Sequence, residues 1–429
     1  MSDATLSLVI VGIAVALFIW NRLPVEVVAI GVALLLYFTG LVDSRTLFSG
    51  FGDAVIVFIA SLFVVSEGLA ASGVTAWVSE TLARLAGRTY TRLLVTVLVL
   101  GAVASAVITV NGAAAALVPV TVAVARHAQL SPSKVLIPLA FGCSAGALLT
   151  LGGSPVNILI YEASFDNGGG GFGYFEFALV GIPLVLVTIA VAVLFGYRLL
   201  PERESATPPT QVGDGMLAVD PTEDARPQPD ALGRSAPRAL AVLAVMVGLL
   251  VSGVMPPAVA ALLAALAMVV LRVVRTEQVY RAIPWQTIIL IGALIPLSTA
   301  IKTSGAAEEV AAPIVELAAD RSPYLLLGAL FVLTALLGQF ISNVATVLVV
   351  IPIAVAAATE SGISIQATLM LVALAGAASL LTPIATPANM IVLNPGGYRF
   401  SDYWRLGIVT MLAWFAVAMA VIPLCWPLH

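Results

Sequence analysis

Two stretches of the 429-residue chain are copies of one another. Displacing the first by 232 positions brings Pro24 onto Pro256, Ser72-Gly73 onto Ser304-Gly305, and Asn111 onto Asn343. The same displacement brings Ser154-Pro155-Val156-Asn157 onto Thr386-Pro387-Ala388-Asn389. In apolar sequence one such coincidence carries little weight. Four polar or Pro/Gly landmarks at a single offset point to an internal duplication, and a duplicated chain folds as two related units. Between the copies lies the one long polar stretch, residues 201–239, with the Pro, Gly, Ser and charge content of a linker. The chain therefore divides into a first repeat over 1–200, a linker over 201–239 and a second repeat over 240–429.

The repeats are too apolar for water. Hydrophobic residues make up 61% of the chain and charged residues 10%, against about 25% charged in soluble domains. A soluble fold of this length could not cover so much apolar surface with so little charge. A cytosolic enzyme, a disordered chain and a nucleic-acid binder are excluded, leaving a polytopic membrane protein. Cys143 and Cys425 both lie in apolar stretches, and His127 and His429 are the only histidines. Neither a disulfide framework nor a zinc site is implied, and no nucleophile–base pair suggests an enzyme or a bound cofactor. The first 20 residues lack a basic n-region and read as a retained span.

About 20 apolar residues cross a bilayer. In the first repeat, spans are expected near 4–21, 25–42, 53–72, 134–162 and 177–197. An amphipathic stretch, Trp77–Thr91, carries Trp77, Leu82 and Leu85 on one side. The apolar run 92–125, interrupted at Thr109-Val110-Asn111-Gly112, could be one tilted helix, two spans or a re-entrant hairpin. Positive charge chooses the hairpin. Five spans per repeat then invert the second copy, and with the N-terminus outside, all but Arg45, Lys302 and Arg321 of the 19 Lys and Arg residues fall inside. A full crossing would place Arg126 and Lys134 outside. The expected fold is an all-α polytopic membrane protein of inverted repeats, each with five transmembrane helices and one re-entrant hairpin. That makes about ten spans and two hairpins in a multi-pass plasma-membrane protein of bacterial type, with both termini outside and the linker cytoplasmic.

Irregular backbone at membrane depth is tolerated only where protein or a water-filled cavity satisfies it. The chain offers four such places, paired by the duplication. Two are the hairpin tips, Thr109-Val110-Asn111-Gly112-Ala113 and Ile341-Ser342-Asn343-Val344-Ala345-Thr346. Two are breaks in the following spans, Gly152-Gly153-Ser154-Pro155-Val156-Asn157 and Ala385-Thr386-Pro387-Ala388-Asn389. A broken helix exposes N–H groups that suit an anion and carbonyls that suit Na⁺, and an Asn amide serves either. Such interruptions also serve simply to pack helices. Recurrence of the Asn in both copies, at tip and break alike, favours a site.

The remaining polar residues carry less. Glu67 sits at the end of a span opposite Thr299 in the other copy and reads as a rim charge, while Glu162 is expected to face an outer vestibule. Lys302 is expected to snorkel outward, Cys143 to pack, and Trp20, Trp285, Trp404 and Trp426 to form an interface belt. No span centre carries an evident Asp or Glu for a proton relay, which favours Na⁺ over H⁺ as coupling ion.

At these residues the sequence resembles the divalent-anion/sodium symporter family, within the ion-transporter superfamily that also holds citrate and arsenite permeases. The resemblance covers nearly all the chain except the linker. It implies inverted five-span repeats, opposed hairpins with Ser-Asn-Thr tips, and helix breaks bearing Ser/Thr-Pro. The second tip matches as Ser342-Asn343 with Val344 in place of Thr; the first keeps Asn111, with Val110 for Ser and Gly112 for Thr. The breaks match as Gly153-Ser154-Pro155 and Ala385-Thr386-Pro387. Carried across, the resemblance implies substrate contacts at Asn111, Gly112, Ser154, Pro155, Ser342, Asn343, Val344, Thr386 and Pro387. It implies sodium contacts at Thr109, Asn111, Gly153, Asn343 and Ala385, with Asn157 and Asn389 supporting the breaks.

The function so implied is sodium-coupled symport of a small anion, sulfate or a di- or tricarboxylate, by alternating access. The lost tip hydroxyls point toward a smaller inorganic anion. The alternatives are a proton-coupled or uncoupled oxyanion efflux permease of the arsenite kind, or a passive anion channel. The partners implied are the anion, the bilayer and a second copy in a homodimer.

Overall fold

The computed structural model describes residues 2–20, 22–85, 89–203, 233, 235–318 and 322–428. Most of the 201–239 linker, and Arg88, Arg226, Arg234 and Arg321 from the charge argument, lie outside the described residues.

The first repeat runs through α1 (Asp3–Trp20), α2 (Val25–Phe38), α3 (Ser44–Ser49), α4 (Ala54–Ala71), α5 (Val74–Leu85), α6 (Tyr90–Val107), α7 (Val110–His127), α8 (Leu136–Gly146), α9 (Pro155–Asp166) and α10 (Ala178–Val191). A π turn carries α10 on to Leu199. The second runs through α11 (Ala236–Ser252), α12 (Pro257–Val270), α13 (Thr276–Ala282), α14 (Trp285–Thr303), α15 (Ala306–Ala318), α16 (Pro323–Leu337), α17 (Asn343–Ser361), α18 (Ile365–Ala377), α19 (Pro387–Leu393) and α20 (Tyr403–Cys425). Every element of the first series recurs ten places later; α2 and α12 match to the residue at the 232-position offset. Among the described residues there is no strand, and nine helices are long and apolar enough to cross a membrane. The protein is an all-helical, multi-pass membrane protein.

Local chemistry accounts for the boundaries. Asp43 caps α3 by accepting from Thr46 N at 2.7 Å, and hydrogen bonding from Thr46 holds its carboxyl below the usual range. The turns joining α4 to α5 and α14 to α15 need left-handed backbone, and glycine supplies it in both: φ is +89° at Gly73 and +80° at Gly305. The hairpin over 92–125 is formed by α6 and α7, which pack on each other across a two-residue connection.

Two groups of helices emerge from the packing. In one, α2 lies on α14 and α12 on α4, so each repeat's second helix sits on the other's fourth. In the other, α6, α7, α10 and the second repeat's α19 surround α8, and α16, α17, α20 and the first repeat's α9 surround α18. All eleven residues of α8 are buried, as expected of a helix apolar on every side. Missing side chains permit close approach: a Cβ on Gly181 of α10 would meet Leu148 O at 2.2 Å, and one on Gly407 of α20 would meet Leu380 O at 2.2 Å. Those two carbonyls are repeat equivalents, so both crossings use the same device.

The repeats are also tied together at one end. Arg203 Nη1 donates to Asp402 Oδ2 at 2.7 Å and to Gly397 O at 3.0 Å. Beside it, Lys134 Nζ donates to Tyr197 O and Leu200 O at 2.8 and 2.7 Å. Tyr398 OH accepts from Ile137 N at 3.1 Å and donates to Ser133 O.

In α5, Leu82 is buried while Trp77 and Leu85, on the same side of the helix, are exposed. One expected side-chain placement is corrected. Trp426 is not a belt residue: it is buried and donates Nε1 to Glu176 Oε1 at 2.7 Å. Trp20, Trp285 and Trp404 remain exposed.

Candidate functional site

Four half-helices begin where the tips and breaks were expected, and each start is capped by its own hydroxyl. Thr109 Oγ1 accepts from Gly112 N at 3.2 Å, and Ser342 Oγ from Ala345 N at 3.3 Å. Ser154 Oγ accepts from Val156 N at 3.2 Å, and Thr386 Oγ1 from Asn389 N at 3.2 Å. Pro155 and Pro387 occupy the first helical turn, where a missing N–H costs nothing. A cap uses a lone pair, so the O–H proton of each hydroxyl stays available to a ligand.

The two broken spans are held open by one arrangement, built twice. Asn157 Nδ2 donates to Ala147 O and Thr150 O, both at 2.8 Å. Asn389 Nδ2 donates to Ser379 O and Thr382 O, both at 3.0 Å. Each Asn thus satisfies carbonyls that the interrupted helix has released. Thr150 Oγ1 ties the first break to the end of α6 through Ala106 O at 2.8 Å, and Thr382 Oγ1 ties the second to Gln339 O at 2.8 Å. A Cβ on Gly153 would meet Ala147 O at 2.3 Å, so glycine clears the carbonyl that Asn157 binds. The second break has a further brace: Gln339 Nε2 donates to Ala378 O at 3.1 Å and its Oε1 accepts from Leu381 N at 2.8 Å.

Packing crosses between repeats here. The half-helix α9, starting at Ser154-Pro155, lies on α17 and α18; its equivalent α19, starting at Thr386-Pro387, lies on α7 and α8. Each break helix therefore packs on the other repeat's hairpin.

The two tips differ in exposure. Asn111 is exposed, and with Thr109 and Gly112 it lines a cavity of about 320 Å³. Asn343 is half-buried, and its Oδ1 accepts from Ser379 Oγ at 2.7 Å. Ser342 and Val344 are also half-buried. At the breaks, Gly153, Ala385 and Thr386 are buried, Ser154 and Pro155 half-buried and Pro387 exposed. None of these lines either cavity described here, so the first tip alone is brought into one.

A second cavity, of about 1000 Å³, takes in the other repeat's equivalents of six residues that line the first. Phe63, Ser66, Glu67, Ala70, Thr75 and Ala116 line the first; Ile295, Ser298, Thr299, Lys302, Ala307 and Leu348, their equivalents, line the second. The first cavity meets the C-terminal part of α4 and Ala282, just before α14. The second meets Asp53–Val55 at the N-terminal end of α4 and the C-terminal part of α14. The equivalent helices α4 and α14 thus run antiparallel, and the cavities lie at opposite ends of the pair. That is the geometry of an inverted repeat.

Charge in these cavities was only partly legible. Glu67, expected at a rim, lines the first cavity together with Asn111. Glu162 lines the second, joined by Asp53, Asp166, Glu308 and Glu360. Lys302 lines the same cavity and donates to Asn167 Oδ1 at 2.7 Å, so its tip is held by protein. Ser379 and Gln339 were missed: each stands in one copy only, opposite Ala147 and Val107, and the duplication gave no hint of them.

Known proteins agree with this architecture. The family model of the citrate transporter (CitMHS) matches residues 15–375 and again 314–428. The uncharacterized transporter YfbS of Escherichia coli is 23% identical over an alignment covering 97% of this chain and 98% of the relative. The Na⁺/citrate cotransporter of Rattus norvegicus is 28% identical over 30% of this chain and 22% of its own. The crystal structure of the Alcanivorax borkumensis YdaH transporter superposes with a TM-score of 0.62 at 16% identity, covering 96% of this chain and 98% of that one. The duplicated helices, the capped half-helices and this match along almost the whole chain place it together: it belongs to the citrate transporter family of membrane transporters.

Proposed function

We propose that the protein is a secondary active transporter carrying a small anion, sulfate or a di- or tricarboxylate, in symport with sodium by alternating access. The observation that carries the reading is the pair of repeat-equivalent cavities at opposite ends of α4 and α14, one of which reaches the Asn111 tip. Exchanging the conformations of two inverted repeats would exchange which cavity reaches the site, and that is what alternating access requires.

In this reading the anion meets the N–H groups and amides at Asn111, Gly112, Asn343 and Val344, and the free O–H protons of Ser154, Ser342 and Thr386, with Pro155 and Pro387 shaping the breaks. Sodium is held by oxygens at Thr109, Asn111, Gly153, Asn343 and Ala385. Asn157 and Asn389 hold the breaks in shape. Orientation follows the basic residues: termini outside, linker cytoplasmic, and the first cavity opening inward. A homodimer completes the reading.

A second reading, proton-coupled or uncoupled oxyanion efflux, draws support from the carboxylate of Glu67 beside the Asn111 tip. A thermal-shift screen of sulfate, citrate and succinate separates the two. Stabilisation that needs sodium supports symport. Stabilisation indifferent to sodium and strengthened by acid supports the second reading.

A further inference from the structure

We infer that Ser379 fixes the Asn343 amide as a hydrogen-bond donor to the anion, so that the second tip serves the anion and the first serves the cation. The inference rests on the transport reading above and refines it by removing Asn343 from the sodium ligands.

The argument begins with one proton. Ser379 Oγ lies 2.7 Å from Asn343 Oδ1 and 3.3 Å from Gly376 O. The first distance is the usual O–H···O separation and the second is beyond it, so the hydroxyl proton goes to Asn343. With Oδ1 held against the buried Ser379, the other arm of the planar amide, the Nδ2 group with its two donors, is the one turned to whatever binds at the tip. Donors stabilise an anion and do nothing for Na⁺.

Ser379 is itself immobile. It is 1% exposed, and its carbonyl accepts from Asn389 Nδ2 at 3.0 Å. Room for its hydroxyl comes from Gly338, where a Cβ would stand 2.9 Å from Ser379 Oγ. The serine and the glycine opposite it form a matched pair.

The first repeat has neither. The equivalents of Gly338 and Ser379 are Ala106 and Ala147. No hydroxyl stands at the equivalent position to engage Asn111, whose exposed amide keeps its oxygen for a cation. One pair of substitutions between the copies, Ala/Ala against Gly/Ser, thus gives two otherwise equivalent tips opposite chemistry.

The test uses full-length protein in proteoliposomes, with labelled sulfate and labelled citrate, reading both the anion KM and the half-saturating sodium concentration. Ser379→Ala should raise the anion KM about tenfold, the worth of one hydrogen bond to a binding group, and leave sodium half-saturation unchanged. The mirror variant, Ala106→Gly with Ala147→Ser, should raise half-saturating sodium about tenfold by turning the Asn111 oxygen away from the tip. The mirror variant decides the matter if Ser379→Ala does not fold. An unchanged anion KM in Ser379→Ala, an equal shift of both parameters, or a mirror variant with unaltered sodium dependence overturns the assignment alone. A wild type that takes up neither anion, or does so without sodium, overturns the transport reading and the assignment with it.

Discussion

Asn157 and Asn389 stand 232 positions apart and make the same two hydrogen bonds, each Nδ2 bridging the carbonyls ten and seven residues before it. Both are buried, at 0% and 1% exposure. A span that stops at membrane depth releases carbonyls with no water to receive them. One amide group closes that deficit twice, and so shapes the break at which Ser154 or Thr386 caps the next helix.

Replacing either Asn by Ala should therefore act on stability first. Two carbonyls lose their donor in each case, at a cost of about 2 kcal/mol. Thermal unfolding in detergent should show both variants destabilised to a similar degree. A large effect at one and none at the other would mean that the two breaks are not equivalent.

Gly153 and its equivalent Ala385 should respond differently to exchange. Gly153→Ala drives a Cβ to 2.3 Å from Ala147 O, the carbonyl that Asn157 holds. Relieving that overlap should cost about 1–3 kcal/mol, read as a lowered Tm together with lost transport. Ala385→Gly removes a methyl and should be mild. Equal tolerance of the two would show that the first break does not depend on that close approach.

Glu67→Gln removes a negative charge from the cavity that reaches Asn111. A carboxylate there repels an approaching anion, more strongly the higher the anion's charge. The anion KM should fall severalfold, and more for citrate than for sulfate, measured by initial rates of uptake. A raised KM would mean that the carboxylate helps bind substrate, through a proton or a cation of its own.

Arg203, at the start of the linker, and Asp402 join that segment to the loop before α20, and Asp402 is 6% exposed and also accepts from Arg399 N at 2.7 Å. Asp402→Ala leaves the Arg399 N–H without its acceptor and the Arg203 guanidinium with Gly397 O alone, at a cost of about 2 kcal/mol. Arg203→Ala should cost less, because Asp402 keeps its backbone donor. Unfolding curves for the two variants check the order, and a larger loss in Arg203→Ala would reverse it.

Helix breaks and tips were legible because Pro, Gly, Ser and Asn stand out against an apolar background, and because each recurred at one offset. The hairpin was legible because Arg126 and Lys134 fix which side the chain returns to. What escaped depends on contacts between distant positions. Glu67 lies near a helix end, and nothing in its neighbours tells that α7 brings Asn111 beside it. Ser379 is one small polar residue among many, and its meaning comes from Asn343, 36 positions back. Trp426 resembled an interface residue until Glu176, 250 positions away, took its N–H. Local pattern locates irregular backbone; the partner of a single side chain is decided by packing.

The account turns on whether the Asn111 and Asn343 tips carry an anion together with sodium. Initial-rate uptake of labelled sulfate and citrate into proteoliposomes, with and without an inward sodium gradient, measures this for the wild type, Asn111→Ala and Asn343→Ala. The account predicts saturable, sodium-accelerated uptake of at least one anion by the wild type and its loss in both variants. Uptake that ignores sodium, fails to saturate, or survives both substitutions would contradict it.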